Sequence, residues 1–566
     1  MNTHPTLLGH VFDHEAQQPE RIFLTQPLGQ GRVADYTWRQ VLDQSRRMAA
    51  HLQSLGLPRG ARIAILSKNC AHFVMAELAI WLGGYTTVAI FPTETADTVG
   101  YVLGHSEASL LFVGKLDTWE AQKPGVDAAL PRIALPLAPA SALQDYEDWD
   151  AIVARTAPLG GQAQRSDDAL AMIIYTSGST GQPKGVMTSD RAIAAAGAGF
   201  AAYTRANSRP TGEHRILSYL PLAHSFERSC VEAASLVDGQ VHLYFAESLD
   251  TFLHDLQRAR PTLFISVPRL WLKFQQGVFA KLPPGKLNRL LSLPILGRIV
   301  AHKVLTGLGL DAVEFAGSGS APLPPELIHW YRRLGLKLYE GYGMTEDSSY
   351  SHASSAQHGE PGYVGVALPG VQVRISAEGE VLIRSPGQFS GYYKQPELSA
   401  ASFTDDGFFR TGDLGALRAD GLLKITGRAK ELFKTAKGKY VAPAPIEDKL
   451  VMHTAVEACC VTGANLGQPL AVVMLNQDAA QRSADSAARQ ALEASLQAHL
   501  SAVNALLDPH EQLDALVVVT EPWTVDNGFI TPTFKVKRNR IEEAFASRYD
   551  GWVAARRTVI WADRVS

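Results

Sequence analysis

An apolar run from Ala169 to Tyr175 breaks into Thr176-Ser177-Gly178-Ser179-Thr180-Gly181, then Gln182-Pro183-Lys184-Gly185. The run has the length and composition of a buried strand. A chain that leaves such a strand through small and hydroxylated residues must turn sharply, with its backbone N–H groups and hydroxyls uncovered. Oxyanions, phosphates above all, bind turns of this kind. Pro183 stiffens the loop, Lys184 adds a positive charge, and Ser189 is placed to cap a helix through Arg191, Ala192 and Ile193. This is not a Walker A loop. Counting from Gly178, Pro183 stands where that motif has Gly, and Gly185 where it has Ser or Thr.

Strands and helices alternate ahead of this loop. Thr37 begins a helix with Val41, Met48, Leu52 and Leu55 on one face. A strand at Arg62–Leu66, a helix at Ala71–Leu82, a strand at Thr86–Phe91, a helix at Thr95–His105 and a strand at Ser109–Val113 follow. Residues 115–165, rich in Ala, Pro and Asp, read as a connection with little sheet of its own. After the loop, strands are expected at Ile216–Leu220, Val241–Phe245, Thr262–Val267 and Val313–Ala316. The pattern predicts α/β architecture with parallel sheets covered by helices.

From Val371 the rhythm changes. Val371–Ile375 and Val381–Ile383 flank a turn at Ala377-Glu378-Gly379-Glu380, which predicts a hairpin in a small antiparallel section before residue 428. Beyond Arg428 the chain reads as a compact α+β unit, with a helix over Ala487–Leu507 and a strand over Leu516–Thr520. At 566 residues, more than one domain is required.

Composition excludes several classes. With 53 Lys and Arg against 56 Asp and Glu, no nucleic-acid partner is indicated. Four cysteines without a CxxC pair give neither a disulfide framework nor a zinc site, and Cys459-Cys460 suit a buried strand. Residues 1–15 lack a basic region followed by an apolar run, so no signal peptide is expected. A reducing cytoplasm fits these features. Leu290–Leu310 is apolar but broken by Arg298, His302 and Lys303. It is a poor membrane span, and either packs on the core or lies on a membrane surface, such as the inner face of a bilayer.

Four further segments carry chemistry. Ser218–His224 is a strand running into a Pro turn that ends in His; alone, it reads as a structural turn. Ala316–Leu323 is a second small-residue turn after a strand, matching neither GxSxG nor GxGxxG. Its small side chains let a flat ring approach the backbone. In Tyr339–Glu346 an aromatic between glycines can stack on a base, while Thr345 and Glu346 can hold phosphate and Mg²⁺. Phe409–Leu414 places Asp413 after a tight Gly turn, where a carboxylate can accept two hydroxyls.

YTSGSTGQPKG closely resembles the phosphate loop of the adenylate-forming superfamily, which includes acyl-CoA synthetases, peptide-synthetase adenylation domains and firefly luciferase. LPLAHSFER, SGSAPL, YEGYGMTE, TGD, KITGR, GKYVAP and TPTFKVKR follow in that family's order, in the form of its long-chain acyl-CoA synthetases. The resemblance implies a large N-terminal adenylate-forming domain (1–427), a hinge (428–430, with Lys430 central) and a small mobile α+β C-terminal domain (431–566). It implies that ATP, Mg²⁺ and coenzyme A are used to convert a fatty acid to an acyl-adenylate and then to acyl-CoA. The alternatives are delivery of the acyl group to a carrier protein, or a non-catalytic nucleotide- or lipid-binding relative.

By the same resemblance, Thr176, Ser177, Gly178, Ser179, Thr180, Gly181 and Lys184 hold phosphate. Gly319, Ser320, Ala321, Pro322, Glu340, Gly341, Tyr342, Gly343 and Met344 enclose adenine. Asp413 and Arg428 hold ribose. Thr345 meets the α-phosphate, Thr176 and Glu346 the metal, and His224 the acyl carboxylate. Lys535 is the adenylation lysine, with Lys537 and Arg538 as solvated charges or phosphate contacts. Lys437, Gly438 and Lys439 are candidates for the CoA phosphates, with plain solvent exposure as the default for the two lysines. Two departures stand out. Phe534-Lys535 replaces the common Gly-Lys, and Leu290–Leu310 matches the lid-proximal region poorly.

Overall fold

The computed structural model describes residues 6–162, 165–176, 182–209, 213–531 and 535–562. An eight-stranded sheet anchors the N-terminal part. Its spatial order is Gly391–Tyr392, Lys184–Ser189, Leu170–Thr176, Thr86–Ile90, Arg62–Leu66, Ala108–Val113, Arg132–Ala134 and Glu147–Asp148. The strands from Leu170–Thr176 onward are mutually parallel, as the alternation requires. The connection 115–165 adds only two short edge strands to it.

The helix Ala71–Leu82 is buried at every position, because sheet and helices cover it on all sides. Cys70 gives it no side-chain cap, and the Gln26 amide oxygen accepts the Ala71 N–H instead, at 2.8 Å. The helix Trp38–Ser54 opens in a full capping box between Thr37 and Gln40.

Two more mixed sheets complete the N-terminal α/β part. One runs His214–Ser218, Val241–Phe245, Ile22–Pro27 and Val33–Thr37, and the other Leu263–Ser266, Phe315–Ser318, Leu338–Tyr342, His352–Ala353 and Val366–Ala367. The expected antiparallel section is a four-stranded sheet, Gln372–Ile375, Glu380–Arg384, Phe409–Leu417 and Leu423–Arg428. The C-terminal unit carries its own sheet of Val456–Thr462, Leu470–Leu475, Leu516–Val519 and Val559–Trp561. Period-2 alternation there feeds two cores, with Cys459 and Val461 in one and Cys460 in the other.

Several strands escaped the sequence reading, among them Ile22–Pro27, Val33–Thr37, Lys184–Ser189 and Leu470–Leu475. Lys184–Ser189 pairs antiparallel with Leu170–Thr176, with Thr176 opposite Lys184. The Gly/Ser/Thr loop therefore closes a hairpin, and the helix Asp190–Asn207, capped by Ser189 as expected, begins only at the far end of the second strand.

Candidate active site

A cleft of about 1850 Å³ opens between the N-terminal part and the C-terminal unit. Strand ends build its floor. Phe315–Ser318 and Leu338–Tyr342 run parallel and release their chains at Gly319 and Gly343. Ser320 takes a left-handed φ of +71°, a strained setting for a residue with a side chain. Gly343 is required by close approach: a Cβ there would lie 2.5 Å from the Ser349 carbonyl carbon. Gly319, Ser320, Ala321, Pro322, Glu340, Gly341, Tyr342, Gly343 and Met344 all line the cleft. The Glu340 carboxylate accepts the Leu323 N–H at 3.0 Å, tying the two turns together.

On the phosphate side, Thr176 and Lys184 face the same cleft. Ser177, Gly178, Ser179, Thr180 and Gly181 lie outside the described residues. The Lys184 ammonium sits 5.4 Å over the Tyr392 ring, and Tyr392 Oη donates to Glu346 Oε1 at 2.8 Å. Thr345 is buried beside Ser225, with the two hydroxyls 3.2 Å apart. Thr176, Lys184, Tyr392, Glu346 and Thr345 thus form one polar wall. A single carboxylate and a hydroxyl are hard oxygen donors suited to Mg²⁺, which keeps most of its waters.

His224 caps the short turn Ser225–Glu227, its Nδ1 accepting the Phe226 N–H at 3.1 Å. Burial, reinforced by the charge of Lys535, pushes its imidazole down to about 3. The ring is therefore neutral, with its proton on Nε2, and offers the cleft a donor without a charge. Below it the turn is clamped. Asn69 Nδ2 donates to Ser218 Oγ and to the Leu220 carbonyl, and its Oδ1 accepts the Leu222 N–H at 3.0 Å. Arg228 Nε donates to the Leu222 carbonyl at 2.8 Å, and its guanidinium pairs with the buried Glu77 and Glu232.

Burial disfavours the charged form of three carboxyls, Glu340 in the cleft lining and Glu227 and Asp347 behind it. Burial lifts Glu227, Glu340 and Asp347 each to about 8. The surroundings of the cleft are thereby less negative than their composition suggests. Apolar side chains of Phe200, Tyr203, Ile265 and Phe315 supply another wall.

Asp413 and Arg428 pair across adjacent antiparallel strands. Arg428 Nε lies 3.0 Å from Asp413 Oδ1, and Tyr342 Oη donates to Asp413 Oδ2 at 2.6 Å. Lys535 arrives from the C-terminal unit. Its own N–H bonds Thr531 Oγ1 at 3.0 Å, and its carbonyl accepts the Thr531 N–H at 2.8 Å. Lys535 lines the cleft and is exposed to the solvent in it. Lost hydration first, and Arg428 second, push it down to about 8, while Asp413 and Glu431 pull it upward.

Not every assigned residue joins the site. Lys437, Gly438 and Lys439 form the exposed turn of the hairpin Phe433–Lys434/Tyr440–Val441, and Lys437 Nζ bonds the Gln468 side chain at 3.1 Å. They do not line the cleft. Lys430, exposed in the short turn Ala429–Glu431, does line it. Arg538 is no solvated charge. It is half-buried, pairs with Glu447 at 2.7 Å and donates to the Val461 carbonyl, pinning the helix Arg538–Phe545 to the C-terminal sheet. Asn69, Ser225, Tyr392 and Glu431 were missed, since no local pattern separates them from ordinary surface or turn residues.

Comparison with known proteins gives concordant results. A family model described as AMP-binding enzyme matches residues 11–393, and one described as AMP-binding enzyme C-terminal domain matches residues 431–555. A long-chain-fatty-acid–CoA ligase, FadD15, of Mycobacterium bovis is 33% identical over 96% of each chain. Fatty acyl-CoA synthetase A of Dictyostelium discoideum is 30% identical over 92% of this chain and 87% of its own. Among solved structures, the A domain of a carboxylic acid reductase from Segniliparus rugosus, in complex with AMP and a co-purified carboxylic acid, superposes with a TM-score of 0.80. It covers 97% of this chain and 94% of its own at 23% identity, which establishes a shared fold.

Proposed function

The chain belongs to the AMP-binding enzyme family, and from that premise we propose that it activates a long-chain fatty acid with ATP and transfers the acyl group to coenzyme A. The observation that carries this reading is the entry of Lys535, from the C-terminal unit, into the cleft that Thr345, Glu346, Asp413 and Arg428 line. The names of the two sequence relatives support the substrate class.

In the first half-reaction a carboxylate oxygen attacks the α-phosphorus of ATP, and pyrophosphate leaves in line. Two anions have to meet, so the cleft must offset their repulsion as the transition state forms. Lys535 and Lys184 supply positive charge. The neutral His224 donates a hydrogen bond toward the acyl carboxylate without fixing it as an unreactive ion pair. Thr345 donates to the α-phosphate, and Asp413 with Arg428 holds the ribose. Thr176 and Glu346 would hold a magnesium ion, which when bound neutralises phosphate charge.

In the second half-reaction a thiol attacks the acyl carbonyl, the bond to the phosphate oxygen breaks, and AMP departs. Lys535 is then no longer required. We assign residues 428–430 as the hinge about which the unit 431–566 swings to withdraw it and admit CoA. Lys437 and Lys439, exposed on that unit, would reach the CoA phosphates only after such a swing.

The test follows pyrophosphate release across a chain-length series of carboxylic acids, with and without CoA, and detects thioester by mass spectrometry. CoA-dependent turnover that peaks at long chains is the expected result. Acyl-AMP accumulating without thioester would redirect the acyl group to another acceptor, such as a carrier protein. Absence of pyrophosphate release with every acid would mark a silent relative.

A further inference from the structure

We propose that the tip of the helical pair Pro284–Leu291 and Pro294–Gly307 is a docking surface for an anionic lipid bilayer. The second helix is apolar on two faces. Gly297, Ala301 and Leu305 are buried against the core, with Val300 and Val304 packed beside them. At its N-terminal end, Leu293, Ile295, Leu296 and Ile299 point outward, and Ile295 is 78% and Ile299 59% exposed. Leaving four aliphatic side chains in water on one short segment has no structural benefit, since the core face of the same helix is already satisfied.

The surrounding charge is one-sided. Between Asp255 and Asp311 the chain contains no Asp or Glu, although the whole protein carries a slight acidic excess. Lys281, Lys286, Arg289, Arg298 and Lys303 are all exposed around the tip. Among the described residues none of these five is paired with a carboxylate. Ile295, Ile299 and Lys303 follow one another at i, i+4 spacing, so apolar tip and cationic shoulder share one outward row. An anionic bilayer matches both at once, with hydrocarbon under the aliphatic side chains and acidic headgroups against the cations. No helix among the described residues is long and apolar enough to cross a membrane, so the contact is interfacial.

The proposal is independent of the acid that is activated, and its test reads binding alone. The full-length protein is floated with vesicles of phosphatidylcholine, or of phosphatidylcholine with roughly one third phosphatidylglycerol. Partition onto the anionic vesicles, weakened at about 0.5 M NaCl, is expected. The double variant Ile295→Ser/Ile299→Ser should lower the partition coefficient at least about tenfold. Arg298→Ser/Lys303→Ser should erase the preference for phosphatidylglycerol. Leu506→Ser, an exposed site in the C-terminal unit (71% exposed), should change nothing. All variants sit on the surface, and unchanged melting temperatures establish that each is folded. Failure of the wild type to bind either vesicle overturns the proposal, as does binding that both double variants retain in full. Sedimentation velocity showing a dimer lost in the aliphatic variant, without vesicle binding, would assign the surface to self-association instead.

Discussion

Tyr392 Oη donates to Glu346 Oε1 at 2.8 Å across a sequence separation of 46 residues. The same ring lies under the Lys184 ammonium. One side chain, from a two-residue edge strand of the largest sheet, therefore joins the phosphate hairpin to the carboxylate assigned to the metal.

Tyr392→Phe keeps the ring and removes the hydroxyl. Glu346 then loses the partner that orients it, and kcat/KM for ATP should fall about tenfold, with a higher Mg²⁺ concentration needed for half-maximal rate. Glu346→Gln should shift the Mg²⁺ dependence further. An unchanged Mg²⁺ titration in both variants would remove Glu346 from the metal site.

Lys535→Ala should slow acyl-AMP formation by orders of magnitude and spare thioester formation from supplied acyl-AMP. Equal loss of both half-reactions would contradict its role. The amine, held at about 8, is charged below that pH and neutral above it. Adenylation kcat/KM should therefore decline as pH rises through about 8, and Lys535→Arg, charged throughout, should abolish that limb.

Glu457, on the C-terminal sheet, pairs with Arg269 and lies 3.5 Å from Lys273, both on the N-terminal helix Pro268–Lys281. This contact belongs to the arrangement that holds Lys535 in the cleft. Glu457→Gln should loosen it, slowing acyl-AMP formation several-fold while leaving thiol transfer intact. Parallel loss in both half-reactions would show that the pair serves folding and not domain position.

Glu227 is buried, accepts the Ser218 hydroxyl at 2.6 Å and is raised from an ordinary value of 4.5 to about 8. A raised folded-state pKa means that the folded protein holds its proton longer than the unfolded chain does. Its contribution is complete below about 4.5 and disappears as pH rises through about 8. Glu227→Gln should thus melt near the wild-type temperature at about pH 4.5 and progressively above it as pH rises towards about 8. A constant difference across that range would refute the assignment.

Arg228 is buried between Glu77 and Glu232 and holds the Leu222 carbonyl. Arg228→Met leaves both carboxyls without their cation and should destabilise by about 3–5 kcal/mol. Adding Glu77→Gln and Glu232→Gln should recover most of that loss in urea denaturation. Activity should recover less, because the turn that carries His224 stays unclamped.

Local pattern made much of this protein readable from sequence. The strand Arg62–Leu66 and the helix Ala71–Leu82 follow from largely apolar runs, and Thr37 and Ser189 announce their helices by capping chemistry. Thr345, Glu346, Asp413, Arg428 and Lys535 stand in short ordered motifs, so their membership in one site could be expected. The strand Lys184–Ser189 was not legible, because Lys-Gly-Val-Met-Thr-Ser has too few alternating positions to separate a strand from a loop.

What the tertiary structure decided is which of these groups meet, and in what state of charge. The charge of Lys535 acts on His224 and Asp413 only because a separate unit sits over the cleft. Asn69 and Tyr392 become clamps only when distant strands bring them to the turn and to Glu346. Arg538, written in the same basic run as Lys535, is turned away to pair with Glu447. Sequence spacing determines the kinds of groups available and their local frames. Burial and long-range packing determine their neighbours and hydration, and from those come carboxyls biased toward the neutral form, a neutral imidazole and a lysine poised near neutrality.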